Sequence, residues 1–253
     1  MSENLKFLAF DTSTDRMSIA LTDGQRLWQH EGVGGAQSSI TLIPAVLALL
    51  AQADMSLAEL RAIVFGRGPG SFSGLRTACA VAQGLAFGAG QGRGIPVLPV
   101  DSLMALAEQA RFEQVPESGL RLRIDALLDA RMDEMYYQGF EFSAGLCRPV
   151  NACRLVRPEN LLIDPACDWL AGNVFEVYAD RLPSALAQLR CVSALPSATA
   201  LLRLAPGLAA AGHCVPADQA LPQYIRDKVA LTTAEREQVK FDKANAALSS
   251  PTP

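Results

Sequence analysis

The stretch Gly66-Arg67-Gly68-Pro69-Gly70-Ser71-Phe72-Ser73-Gly74-Leu75-Arg76 constrains the fold more than any other part of the chain. A short apolar run, Ala62 to Phe65, precedes it, and a run of small residues, Thr77 to Gly90, follows. That order predicts strand, glycine-rich turn and helix. Glycines in such a turn serve one of two ends. They supply backbone angles closed to other residues, or they let N–H groups converge on an anion at the helix N-terminus. Counting excludes three familiar loops. Gly74 is followed by Leu75 and the stretch has no lysine, so it is not a Walker loop. The last glycine of a dinucleotide fingerprint would stand at Ser73, one place before Gly74. The centre of Gly70 to Gly74 is Phe72, where a nucleophile elbow needs serine.

With 253 residues, half of them hydrophobic, the chain can bury one large core or two small ones. A net charge of −4 leaves no general basic surface for nucleic acid, so a partner would have to supply most of any phosphate grip. Cysteines 79, 147, 153, 167, 191 and 214 form no C-x-x-C pair and read as reduced, mostly buried thiols. His30 and His213 stand far apart, so no histidine-based metal site is expected. Met1 to Phe10 has no long apolar core of a signal peptide, and the uncharged run Thr77 to Gly92 is too short and too glycine-rich to span a bilayer. The expectation is a cytoplasmic protein with no membrane association.

In chain order, Leu5 to Phe10, Met17 to Leu21 and Arg26 to His30 read as strands, with a turn at Asp23-Gly24. The first bend gathers Asp11, Thr12, Ser13 and Thr14, either as a hydroxyl-rich turn or as a carboxylate that approaches a metal-bound phosphate. Together with the glycine stretch it defines one candidate site, a phosphate or nucleotide loop of Asp11, Ser13, Gly68, Gly70, Ser71 and Gly74. Gln37 to Asp54 reads as a helix with a weak point at Pro44. Ile40, Ile43, Leu47 and Leu50 make one of its faces, and Leu42, Val46, Leu49 and Ala53 another, so it must be covered on two sides. From Ser73 to Gly88, the ridge Ala80, Gly84 and Gly88 allows close approach of another helix, with Arg76, Thr77 and Gln83 as the polar relief. Helices so poor in charge belong in a deep core or at an interface.

Ile95 to Val100 is the next strand, and Asp101-Ser102 is expected to cap a helix from Leu103 to Arg111. Gln114 to Gly119 makes a boundary. Strands at Leu120 to Leu128 and Met135 to Phe142 flank a charged turn, Asp129 to Glu134, that is a second candidate for holding a ligand. An edge strand at Val150 to Val156, a short helix at Pro158 to Ile163, a strand and turn at Trp169 to Asn173 and a helix at Pro196 to Ala211 follow. The last ten residues are expected to be disordered.

Taken together, Leu8-Ala9-Phe10-Asp11-Thr12-Ser13-Thr14, the glycine stretch, Ile124 through Tyr137, and Pro222-Gln223-Tyr224-Ile225-Arg226 resemble the TsaB (YeaZ) family in order, over roughly residues 5 to 231. The resemblance implies an α/β, actin-like fold of the sugar kinase and heat-shock ATPase class, each lobe a mixed sheet with flanking helices. It divides the chain into a lobe at 1–104, a second at 105–215, and a segment at 216–253 that packs back on the first. It also implies a role in placing threonylcarbamoyl on the adenosine beside the anticodon of tRNAs reading ANN codons. In that role the chain is an accessory subunit without catalytic or metal-binding residues of its own. Its partners are then a TsaD-like catalytic subunit and a TsaE-like ATPase, a second copy in their absence, and tRNA only through the complex. ATP or ADP would be bound in that complex. The implied interface is formed by Ile40, Ile43, Leu47, Leu50, Arg76, Ala80, Gln83, Gly84 and Phe87.

Two departures matter. The catalytic paralogue has a metal-binding His-x-x-x-His in the helix that here begins Asp101-Ser102-Leu103-Met104, without histidine. Family members commonly have histidine near the start of the first interface helix, where this chain has Gln37-Ser38-Ser39 and short residues available for capping. The competing readings are a stand-alone ATPase or kinase using the glycine loop, and a glycoprotease-type peptidase, for which no Ser/His/Asp set is evident.

Overall fold

A computed structural model describes residues 5–89, 94–115 and 121–226. The tail expected to be disordered and most of the Gln114–Gly119 boundary lie outside the described residues. Strands β1 (Phe7–Asp11), β2 (Arg16–Thr22) and β3 (Leu27–Val33) form an antiparallel meander. The parallel strands β4 (Ala62–Gly68) and β5 (Val97–Asp101) extend it past β1, giving the order β3-β2-β1-β4-β5. The second sheet repeats this plan. Strands β6 (Leu122–Asp129), β7 (Met135–Ser143) and β8 (Leu146–Pro149) are antiparallel, and β10 (Trp169–Gly172) and β11 (Arg190–Ser193) run parallel beyond β6. Its order is β11-β10-β6-β7-β8, with β9 (Arg154–Val156) also on β7.

Helices α1 (Ser38–Ala53) and α2 (Phe72–Gly88) cover the outer face of the first sheet. Helix α3 (Ser102–Gln114) packs mainly on β6, β7 and β10 of the second sheet, and α5 (Ala198–Ala210) packs on β1, β2 and β4 of the first. A short helix, α4 (Val174–Val177), lies outside the second sheet. Strand alternation decides these contacts. Phe7 and Ala9 of β1 and Ala62 and Val64 of β4 point to the cluster shared with α3 and α5, while Leu8, Phe10, Ile63 and Phe65 point to α1 and α2. Small residues on the inner face admit the helices closely. One core cluster joins both sheets, and α3 runs through 104–105 unbroken.

Several local expectations change. The edge strand expected at Val150 to Val156 forms only at its end, as β9, because Asn151 takes the ladder's place ahead of it: its Oδ1 accepts the Gly139 N–H at 2.9 Å; β8, which ends at Pro149, was not expected. Strand β11 was missed, since only Val192 of its four residues is buried. Asp101 does not cap α3. Its carboxylate accepts from Arg67 Nε at 2.6 Å, and Ser102 is the first helical residue. No side-chain cap holds α1 either, and Ser39 Oγ turns back to Ala36 O at 2.8 Å. Among the described residues, the stretch Gly35–Ala53, not the run at Thr77, is the one long and apolar enough to cross a membrane by length and composition, but Leu42, Val46, Leu49, Leu50 and Ala53 pack it into the core. The cysteines are free, with Cys79 and Cys167 buried, Cys147, Cys153 and Cys214 partly so, and Cys191 exposed.

Candidate functional site

Four distant segments meet at one cleft of about 560 Å³ between the sheets: the β1–β2 turn, the glycine loop, the β6–β7 turn and residues 223–226. The glycines of the loop are spent on the protein's own backbone. A Cβ on Gly74 would stand 1.9 Å from Thr12 O, and one on Gly70 would stand 2.4 Å from Ser13 O. At Gly68, where φ is +120°, it would meet Gln223 O at 2.7 Å. The Ser71 N–H donates to Ser13 O at 2.7 Å, and Thr12 Oγ1 donates to Gly74 O at 2.8 Å. The loop is therefore locked onto the first bend.

Asp11 is the anchor of that bend and does not face the cleft. It is buried, with Oδ1 accepting from Ser13 N at 2.8 Å and Ser13 Oγ at 2.6 Å, and Oδ2 accepting from Ser102 Oγ at 3.0 Å. Gly66 has no side chain because a Cβ there would fall 1.8 Å from Asp11 Oδ2. Burial pushes the Asp11 carboxyl above its ordinary range, against the pull of the Ser13 and Ser102 bonds. Of the polar side chains that line the cleft, Ser13, Thr14, Ser71 and Asn173 already hydrogen-bond within the protein, while Gln223 Oε1 is buried there without a partner. Among the described residues no three His, Cys, Asp or Glu side chains converge as a metal set.

The charges of the β6–β7 turn are taken up by protein partners. Arg131 reaches across the cleft to Asp15, Asp129 accepts from Tyr178 Oη at 2.7 Å, and Asp133 accepts from Arg181 at 2.7 Å. Arg131, Met132 and Asp133 all have φ near +60°, three successive residues in the left-handed region without a glycine. Arg226 braces this turn, donating to Glu134 Oε2 at 2.7 Å and to Ala130 O at 3.2 Å. The role of Arg226 was not legible beforehand, because its contacts lie more than ninety positions away.

On the outer side, α1 and α2 lie together. Ile40 is 77% exposed and Phe87 73%; Ile43, Leu47, Arg76, Ala80 and Gly84 are also exposed. Nothing lies within 4 Å of a Cβ built on Gly84 or Gly88. Leu50, expected on this face, is instead 5% exposed and belongs to the protein's own core. Two residues of the face also hold residues 220–224 to α2. Gln83 Nε2 donates to Ala220 O at 2.9 Å, and Arg76 Nε donates to Tyr224 Oη at 3.2 Å while its guanidinium stacks 3.8 Å from the Phe72 ring.

A family profile described as "TsaD: tRNA N6-adenosine threonylcarbamoyltransferase" matches residues 32–250. The tRNA threonylcarbamoyladenosine biosynthesis protein TsaB of Haemophilus influenzae is 31% identical, over 90% of this chain and 96% of that one. The chain belongs to the TsaB (YeaZ) family. The TsaB of Escherichia coli is 29% identical over 89% of this chain and 96% of its own length. The solved YeaZ from Pseudomonas aeruginosa superposes with a TM-score of 0.76 at 38% identity, covering 87% of this chain and 99% of that one. Against TsaB and YeaZ, the two mixed sheets with flanking helices are the two lobes of an actin-like fold, as the sequence blocks led one to expect.

Proposed function

We propose that this chain is a cytoplasmic accessory subunit of the machinery that makes threonylcarbamoyladenosine in tRNA. It acts by docking a TsaD-like catalytic subunit on the exposed α1–α2 face, which a second copy of the chain occupies when that subunit is absent. The observation that carries this reading is the face itself. Ile40, Ile43, Leu47 and Phe87 stand exposed beside a ridge, Ala80 and Gly84, with open space in front of it. The chain's relatives named for this biosynthesis support the pathway. The lack of independent chemistry is supported by Asp11 being buried and bonded away from the cleft, and by loop glycines that cradle backbone in place of phosphate. A TsaE-like ATPase and tRNA join through the complex, and ATP or ADP enters the cleft only there.

Gly84→Leu tests the docking face. The added side chain projects into open space, so the folded chain is left intact while the ridge loses its close approach. Light scattering behind size exclusion should give a mixed complex of the unmodified chain with its cognate TsaD-like subunit, and at least about tenfold weaker association for the variant, near 1.4 kcal/mol. Unchanged assembly by Gly84→Leu would sink the proposed face. A stand-alone ATPase is the competing reading, and the cleft of about 560 Å³ is what favours it. Nucleotide titrated calorimetrically into the chain alone should give no saturable heat; a saturable one would move the assignment to that reading.

A further inference from the structure

A second cavity, of about 360 Å³, shares no residue with the cleft. It lies where the C-terminal half of α3 meets α5, β8 and the start of β10, and its walls are largely apolar: Phe112, Leu122, Phe142, Leu146, Trp169 and Leu204. Its polar floor is unusual. Glu108, 3% exposed, is shared by two guanidinium groups. Arg111 donates to both carboxylate oxygens, at 2.7 and 3.0 Å, and Arg203 donates to Oε1 at 2.8 Å. Arg121 adds a third guanidinium at the rim, held by Glu141 at 2.6 Å. Of the described residues that line the cavity, three are arginines and Glu108 is the one carboxylate.

Two partly buried guanidinium groups share one buried carboxylate, so positive charge exceeds negative in the cavity wall itself, where a low dielectric strengthens attraction for an incoming anion. Burial also holds the Arg203 guanidinium below its ordinary value, the condition a second anion would relieve. At the mouth, Phe112 and Leu146 are both more than two-fifths exposed, beside polar Ser143 and Arg121. A folding core has no need of that arrangement. A pocket that accepts an apolar body behind a charged head does.

We propose that this cavity binds a small organic carboxylate with a short apolar chain, the carboxylate on Arg203 and Arg111 and the chain against Trp169 and Phe142. The pocket stands at the small end of ligand cavities, which limits the occupant to roughly a dozen non-hydrogen atoms. This assignment is independent of the docking face and survives its failure.

Octanoate is the probe, and octan-1-ol is its uncharged counterpart. The chain has two tryptophans, so Trp28→Phe leaves Trp169, in the cavity wall, as the single reporter. Titrated into that full-length variant, octanoate should change Trp169 emission saturably and half-saturate at about one-tenth the concentration needed for octan-1-ol. Arg203→Met, with far-ultraviolet dichroism unchanged, should bring the two probes within about twofold of each other. Equal binding of acid and alcohol to the parent would overturn the assignment, as would no saturable octanoate signal below about 10 mM, an affinity too weak for a built site. If Arg203→Met fails to fold, the comparison of acid with alcohol in the parent still decides.

Discussion

Gly74 and Gly84 share helix α2, yet one added carbon should act oppositely at the two. At Gly74 a methyl group would stand 1.9 Å from Thr12 O, against backbone that cannot swing aside. Gly74→Ala is expected to destabilise the fold by about 3 kcal/mol, the upper part of the range for overpacking. At Gly84 the same methyl meets nothing, and Gly84→Ala should stabilise by about 0.5–1 kcal/mol through helix propensity. Urea unfolding of the two variants checks both signs. Asp11 adds a pH-dependent test. Its carboxyl is held above its ordinary value of 3.8 in the folded chain, so the unfolded chain releases the proton first and the folded state loses stability as pH rises above about 4. In Asp11→Asn that loss is absent, and the variant's stability relative to the parent should rise with pH from about 4 upward until the folded carboxyl has ionised. A difference that is flat with pH would contradict the assigned burial. The spacing of the glycines announced a tight turn. It could not announce that the atoms pressing on them belong to Thr12 and Ser13, because that contact joins residues 62 positions apart.

Among the elements, the β6–β7 turn carries the most conformational stress. Three successive residues other than glycine hold the left-handed conformation, each at a cost of about 1–2 kcal/mol. Met132 is more than half exposed, so Met132→Gly should relieve one of those costs and raise stability by about 0.5–1 kcal/mol, read as a shift in the urea midpoint at unchanged slope. The charges of this turn were visible in the sequence and suggested a ligand. What the sequence withheld is that Asp15, the Tyr178–Arg181 turn and Arg226 approach from three separate segments to take those charges up. Helix α1 was easier to read. A run so free of charge had to be covered on two sides, and the structure buries one side and exposes Ile40, Ile43 and Leu47 on the other. Leu50 went to the wrong side because it lies four residues after Val46 and three after Leu47, on the edge between the two stripes.

At the scale of the whole molecule, the two lobes do not own their cores. Helix α3 follows the first sheet in the chain but covers the second, and α5 follows the second sheet but covers the first. Ala198 at the start of α5 donates to Ser18 Oγ at 2.9 Å, in a contact that spans 180 positions. Unfolding in urea should therefore follow one transition whether read by tryptophan emission or by far-ultraviolet dichroism, and fragments 1–104 and 105–253 should each fail to fold alone. Two separated transitions would contradict the exchange of helices. The sequence carried the fold family through its four short blocks. It did not carry the repeated strand plan, since β1–β5 and β6–β11 share order and direction without a sequence repeat, nor the exchange, which no local pattern encodes.

The exchange has a consequence for how the protein is made. The inner face of the first sheet, with Phe7, Val64 and Val100, is complete once Asp101 has been synthesised, and α3 follows at once over β4 and β5, but the cover of β1 and β2 begins at Ala198. At about 5–20 residues per second, a ribosome leaves that oily part of the face without α5 for roughly 5–20 s. For that interval the nascent chain is a client for whatever chaperone waits at the exit tunnel, and its yield in a cell depends on translation speed as well as on final stability.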